Sequence, residues 1–570
     1  MAVASPVPLY QRQPDYYGAA ADPAPTSRAA SAGTTSANYG AFETGGSPPE
    51  NPPRRGSRSS GAAEGTGTEQ FGQRASHTSL AAFLDGSKPP RAPRGGQPWW
   101  HPSSLFEEGG ASSALFSLCT ATLGAGILAV PALMRDAGSL LGLLLFEFTC
   151  LLTIFSLRVL VMLMDRTGIY SYEDLSARIG GRWAGHITGF SVIGLLFGAT
   201  MVYVRLVGDA SSMILEQFPN FPLTGIWGSR AVTAMFWLVF MWPLSLLKTV
   251  GALRFASAMS VVAALYIAIA LFAFVLTDTN APNGSVASPP RTFSSKFEGM
   301  RWFRWELSAL SAMPTFVFLY GCQPNVFQIY RELRPREVGR MTKLCFVAMT
   351  SVSLLYFFIG FFGYLQFGEF VRTGNVLRNF VRPLDVWYIA GAFFAVIVTL
   401  TMAFPLCVFP VRDAALHFLG YNAELIGVEL AAANDGASQP LHPSRLSSGP
   451  LSGNHVRASL LEHASHSFGT PAEGKAPTTT VRIVVATVIS LVSLAGGLFV
   501  PNVGILFDVL GGVFGSLVSF IIPSYLALKV GGWERDVVGT GHVVGVYVML
   551  VVGTVVGILG TVVALINNLR

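Results

Sequence analysis

Eleven stretches of this chain stay apolar for about the ~20 residues that a bilayer-spanning helix needs, with polar segments between them. They cover residues 111–134, 140–164, 186–215, 231–247, 255–276, 307–330, 343–367, 386–411, 481–500, 504–528 and 543–566. Runs of this length predict helices, the spanning form that pairs its own backbone groups in lipid. Two regions lack the pattern. Residues 1–103 are rich in Pro, Gly, Ser, Ala and Arg and poor in large aliphatics. They are expected to be a disordered tail, since they bury too little apolar surface to offset the entropy of ordering. Residues 436–480, rich in Ser, Gly and His, read as a flexible loop inside a membrane domain that covers 104–570. The expected fold class is an all-α polytopic membrane protein.

Two of the runs are interrupted. The first carries Gly124-Ala125-Gly126 at its middle and Pro131 about a turn later. Gly costs a helix about 1 kcal/mol relative to Ala, and an interior Pro removes a backbone donor. A helix that parts at mid-membrane exposes N–H and C=O groups, tolerable only where they line a cavity or bind something. The sixth run carries Pro314, then Gly321 and Pro324 on either side of Cys322 and Gln323. Close packing through small residues would explain either interruption alone. Interruptions in the first and sixth of eleven helices match two inverted five-helix repeats plus one helix. Paired interruptions in corresponding positions of two halves point to a transporter's binding site.

Composition agrees with the pattern. Hydrophobic residues make up 51% of the chain and charged ones 12%, against about a quarter charged in soluble domains. Mean hydropathy is +0.49. A formal charge of +6, much of it in tails and short loops, gives no argument for nucleic acid. All five cysteines, Cys119, Cys150, Cys322, Cys345 and Cys407, fall in the apolar runs, without disulfide or zinc spacing, so no metal site is expected. The N-terminus shows no basic segment followed by an apolar core, so no cleaved signal peptide is expected. A cytoplasmic N-terminus puts Arg331, Arg334, Arg336, Arg340 and Lys343 inside, with Arg166, Arg178, Arg182, Lys248 and Arg254. It leaves the uncharged loop 217–229 outside, with a glycosylation sequon at Asn283. Lys296, Arg301, Arg304, Arg372, Arg378 and Arg382 fall outside against the rule.

Gly124 to Pro131 resembles the Gly-x-Gly-Ile-Leu signature that opens the amino acid/auxin permease family. Phe316–Gln328 with its Gln-Pro-Asn core, and Phe404–Arg412, are similar to further family motifs. So are Pro501-Asn-Val-Gly504, Gly511–Ser516 and Pro523. The resemblance covers roughly residues 104–570. It implies the LeuT-type fold, alternating access, and amino acids or close relatives as cargo, driven by protons or sodium.

An amino acid zwitterion needs donors for its carboxylate and acceptors for its ammonium. Backbone N–H groups at Gly124, Ala125 and Gly126, beside a half-helix start, can serve as the donors. Carbonyls around Thr120, Ala121, Tyr320, Gly321 and Cys322 can serve as the acceptors. Tyr203, Phe316, Tyr320 and Asn325 are candidates for the side-chain pocket, with bundle packing the alternative for each aromatic. In sodium-coupled relatives an Asn before the Gly-x-Gly and a hydroxyl on the eighth helix resemble cation ligands. Here Thr120 and Ala403 stand at those positions, with Thr399 and Thr401 nearby. Both departures favour proton coupling or potential-driven uniport over a sodium site.

A proton-coupled carrier needs a titratable group, and intramembrane charges are rare enough to be suspects. Glu147 and Asp508 are the candidates; Asp209 and Arg205 stand at i, i+4 and are expected to pair. No cofactor is expected beyond a coupling ion, H⁺ or Na⁺. The expected partners are a small amino acid and the lipid bilayer, not nucleic acid, with the chain working as a monomer. A plasma membrane is the default and a vacuolar or lysosomal membrane the second choice. The competing readings are a sensor that transports little and a sodium-coupled symporter. No Ser-His-Asp, metal-ligand or phosphate-loop pattern supports an enzyme.

Overall fold

The computed structural model describes residues 109–218, 226–247, 249–277, 293–380, 382–421, 477–500, 502–530, 539–563 and 566. The tail at 1–103, Asn283 and most of the loop 436–480 lie outside the described residues. The described chain is helical. In order come α1 (Ala111–Leu123), α2 (Val130–Ala137), α3 (Ser139–Thr167), α4 (Tyr172–Gly180) and α5 (Arg182–Leu215). Next are α6 (Ile226–Phe236), α7 (Trp242–Ser245), α8 (Arg254–Thr277), α9 (Phe293–Glu298), α10 (Leu307–Leu319) and α11 (Gln323–Glu332). The remainder are α12 (Val338–Phe367), α13 (Trp387–Phe418), α14 (Thr479–Phe499), α15 (Val503–Val509), α16 (Ile522–Val530) and α17 (Gly539–Val555).

Among the described residues, eight helical stretches are long and apolar enough to cross a membrane by length and composition. Three of the eleven expected runs are not among them: two are helical only in pieces, and the third, though continuous from Ile226 to Ser245, carries Arg230 and Pro243 among its apolar residues. The run 111–134 divides into α1, a tight turn Ala125–Leu128 and α2, where Pro131 sits in the first turn and gives up an N–H that has no helical partner anyway. The run 307–330 divides at Tyr320–Cys322 into α10 and α11, with Pro324 again in a first turn. The run 231–247 begins earlier, at Ile226, and is widened by a π-turn at Trp237–Met241 between α6 and α7.

α13 is the most enclosed of the long helices: 83% of its most apolar window is buried, against 28% for α14 and for the span Gly541–Val563. Its continuous apolar sequence, including Pro405 and Pro410, packs against α5, α8 and α14. The two peripheral helices turn Val484, Val488, Leu491, Tyr547, Val548 and Val551 outward, an apolar surface suited to lipid. α1 is held by α8, α12 and α13, and α11 by α1, α3 and α13. These contacts bring the ends of the broken segments into the interior.

Candidate functional site

The helical path leaves α1 at Gly124, whose φ of −22° and ψ of −137° fit no regular element. The surroundings explain why glycine stands there. A Cβ on Gly124 would lie 2.0 Å from the Tyr203 hydroxyl, and one on Gly126 would lie 1.9 Å from Leu319 Cδ2 and 2.8 Å from the Tyr356 hydroxyl. Leu319 ends α10, so the first break abuts the second. Tyr356 from α12 donates to the Thr122 carbonyl at 2.6 Å, pinning the last turn before the first break.

A cavity of about 20 Å³ lies between the two breaks, room for about one water, which takes ~10–15 Å³ on this measure. Ala121, Thr122, Gly124, Ala125 and Gly126 line it from the first segment, and Phe318, Leu319 and Gly321 from the sixth. Leu195, Leu196, Ala199 and Tyr203 of α5, and Cys407 of α13, close it. The Cys407 thiol lies 3.7 Å from the Tyr203 hydroxyl. None of these lining side chains is charged. A molecule of amino acid size enters only if walls such as Leu319, Phe318 and Tyr203 move.

The other candidates surround this cavity. Thr120 is buried and donates to the Ser257 carbonyl on α8 at 2.9 Å, tying α1 to that helix. Phe316 and Tyr320 lie behind the breaks, packed on Phe146 with ring centroids 5.7 and 5.0 Å away. Cys322 caps α11 and faces Met349 Sδ at 4.0 Å. Asn325, fully buried in the first turn of α11, has neither amide atom hydrogen-bonded among the described residues. Thr399 donates to the Ala395 carbonyl at 2.9 Å, its local helical partner, whereas the Thr401 hydroxyl has no hydrogen bond among the described residues.

Each candidate acid has a hydroxyl donor. Ser353 of α12 donates to Glu147, and Thr315 of α10 donates to Asp508 at 2.6 Å. Asp508 is thus fastened to the half-helix that precedes the second break. Asp209 pairs with Arg205 at 3.1 Å, as expected, and also with Arg378 at 3.1 Å and the Asn375 amide at 3.1 Å. Its side chain is 8% exposed, so this network ties the end of α5 to the segment between α12 and α13.

Sequence reasoning missed most of the walls. Leu195, Ala199 and Tyr203 recur at four-residue steps on α5, so the stripe that carries Tyr203 was the available signal. Phe318 and Cys407 gave none, since they read like any other apolar residue in a span.

Comparison with known proteins completes the picture. Residues 107–566 match the family described as transmembrane amino acid transporter protein. The chain is 25% identical over 478 residues to amino acid transporter AVT6E of Arabidopsis thaliana, covering 82% of this chain and 85% of that one. It is 27% identical to vacuolar amino acid transporter 5 of Schizosaccharomyces pombe (54% and 69% covered). It is 25% identical to vacuolar amino acid transporter 6 of Saccharomyces cerevisiae (74% and 90% covered). A solved Na⁺-coupled sialic acid symporter superposes over 80% of this chain and 92% of its own at a TM-score of 0.42 and 13% identity, too loosely to carry an argument. The family and these relatives are transporters rather than enzymes. This chain belongs to the transmembrane amino acid transporter family.

Proposed function

We propose that the protein carries an amino acid across a membrane by alternating access, binding it where the two helix breaks meet. The observation that supports this most is the contact between the breaks, with Gly126 against Leu319, and the cavity that both of them line. The reading includes eleven spanning segments in two inverted five-helix repeats plus one, and a cytoplasmic N-terminus. The cargo's carboxylate would meet N–H groups at Gly124–Gly126, and its ammonium the carbonyls near the second break. The uncharged walls Leu195, Leu196, Phe318, Leu319 and Cys407 favour a neutral side chain, because a buried charge without a partner is costly.

Proton coupling or a potential-driven uniport fits better than sodium symport. Thr120 stands where sodium-coupled relatives carry an Asn, and Ala403 has no side-chain oxygen to offer a cation. Glu147 and Asp508 are the proton-carrying candidates. Two of the relatives are named vacuolar, which favours an internal membrane over the plasma membrane. The test is uptake of labelled amino acids into proteoliposomes, at two pH values, with and without sodium. Saturable uptake of neutral amino acids, raised by a proton gradient or potential and indifferent to sodium, is expected. Binding without flux contradicts the carrier reading, and sodium dependence contradicts the coupling.

A further inference from the structure

We infer that Glu332 is the positioning residue that holds one end of the cargo path shut. The inference rests on the transport reading above. Glu332 is the last residue of α11, and its two carboxylate oxygens accept from the N–H groups of Val250 at 3.0 Å and Gly251 at 2.7 Å. Those donors open the turn that leads into α8, where N–H groups have no partner within the helix. A carboxylate there gains charge-assisted hydrogen bonds and a favourable place at the positive end of the helix dipole.

The neighbouring backbone clasps the start of the first segment. The Arg334 N–H donates to the Gly109 carbonyl at 2.9 Å. Gly109 has φ of +74°, and a Cβ there would lie 2.7 Å from the Glu332 carbonyl oxygen. Three elements that must separate to open this end therefore converge on one residue: the start of α1, the entry to α8 and the end of α11.

A second cavity, of about 10 Å³, lies against this junction, lined by Gly110, Ser113, Ser117, Val250, Gly251 and Glu332 among others. Ser113, Ser117 and Ala121 follow at four-residue steps and so share one face of α1. Ala121 lines the cavity at the breaks, and the two serines line the one at Glu332. A single helix face thus runs from the binding site to Glu332, about 12 Å at 1.5 Å per residue. Ser117 is 1% exposed, yet its hydroxyl has no hydrogen bond among the described residues, and the same holds for Ser257 and Ser260 on α8. Orphaned hydroxyls are costly in a permanently dry interior and are satisfied when water enters. A path that is wetted whenever α8 leaves Glu332 accounts for Ser117, the one of the three that lines the cavity there.

The test measures access, not flux. The full chain, purified in detergent, carries Ser117→Cys and is labelled with a water-soluble maleimide; the same chain without that substitution sets the background from the five buried native thiols. Adding Glu332→Ala should speed labelling of Ser117→Cys at least tenfold, a shift of about 1.4 kcal/mol. Glu332→Gln, which keeps one oxygen acceptor, should speed it by a smaller factor. Val556→Cys, at a position 2% exposed in the last span, reports general loosening and should stay slow in both backgrounds. Unchanged labelling of Ser117→Cys in both variants overturns the inference, as does equal acceleration at Val556→Cys in the Glu332→Gln background. Because labelling needs no cargo, faster labelling in a chain that moves no amino acid rejects the transport reading and keeps the latch. Uptake with unchanged labelling rejects the latch alone.

Discussion

The two breaks look alike in sequence and differ in how tightly they are enclosed. At the first, a Cβ on Gly124 or Gly126 would come within about 2 Å of the Tyr203 hydroxyl or Leu319. At the second, a Cβ on Gly321 meets the Phe318 carbonyl at 3.1 Å and Leu195 at 3.4 Å, close but not overlapping. The first break is bare backbone in a fitted wall; the second is a turn where a Cβ would press on the Phe318 carbonyl without overlapping it. The first should therefore be the part of the site that tolerates no side chain, and the second the part that adjusts as helices move.

Substitutions can break this contrast. Gly126→Val, which drives two methyl groups at Leu319 and Tyr356, should lower uptake at least a hundredfold while the protein still reaches the membrane. Normal uptake at normal abundance in the membrane would remove the first break from the mechanism. Gly124→Ala should lower uptake about tenfold, the scale of a 1.4 kcal/mol penalty, because the Tyr203 ring cannot swing away as cheaply as an aliphatic tip. Adding Tyr203→Phe removes the atom nearest the new methyl and should restore part of the loss; a double variant no better than Gly124→Ala would show that the ring is not the obstacle. Gly321→Ala should change uptake by no more than a few-fold, measured in the same assay.

Much of this was legible before the structure, and the reasons differ by region. Gly and Pro punctuate the first and sixth runs, so the two breaks could be read from local chemistry alone. The walls could not. Leu195 lines the cavity and Leu151 is 63% exposed, yet both are leucines in long apolar helices, and only packing separates them. Glu332 was hidden differently, since it stands between Arg331 and Arg334, where the charges read as an orientation signal. The π-turn at Trp237–Met241 holds no Gly or Pro of its own, and its signal is Pro243 just beyond, whose missing N–H leaves the Val239 carbonyl without its α-helical donor.

A residue away from both breaks supplies the smallest effect on uptake. Glu173, 6% exposed on α4, has its carboxyl pushed up to about 7, chiefly by burial and further by Asp174, against its own backbone N–H, the Ser171 hydroxyl and His417. The unfolded chain releases that proton near the ordinary 4.5. Between those values the folded state holds more protons, so stability falls as pH rises from about 4.5 to 7 and then levels off, by on the order of 3 kcal/mol. Glu173→Gln should flatten the melting temperature over that range with uptake near wild type. A slope unchanged by the substitution would assign the pH dependence elsewhere, and a loss of uptake like that of Gly124→Ala would blur the contrast between the breaks and the rest of the bundle.

The central claim, that the paired breaks hold the cargo, is tested most directly by equilibrium binding of a labelled neutral amino acid to the purified wild type, Gly126→Val and Gly321→Ala. The account predicts saturable binding by wild type and Gly321→Ala and none by Gly126→Val. Equal binding by all three would contradict it.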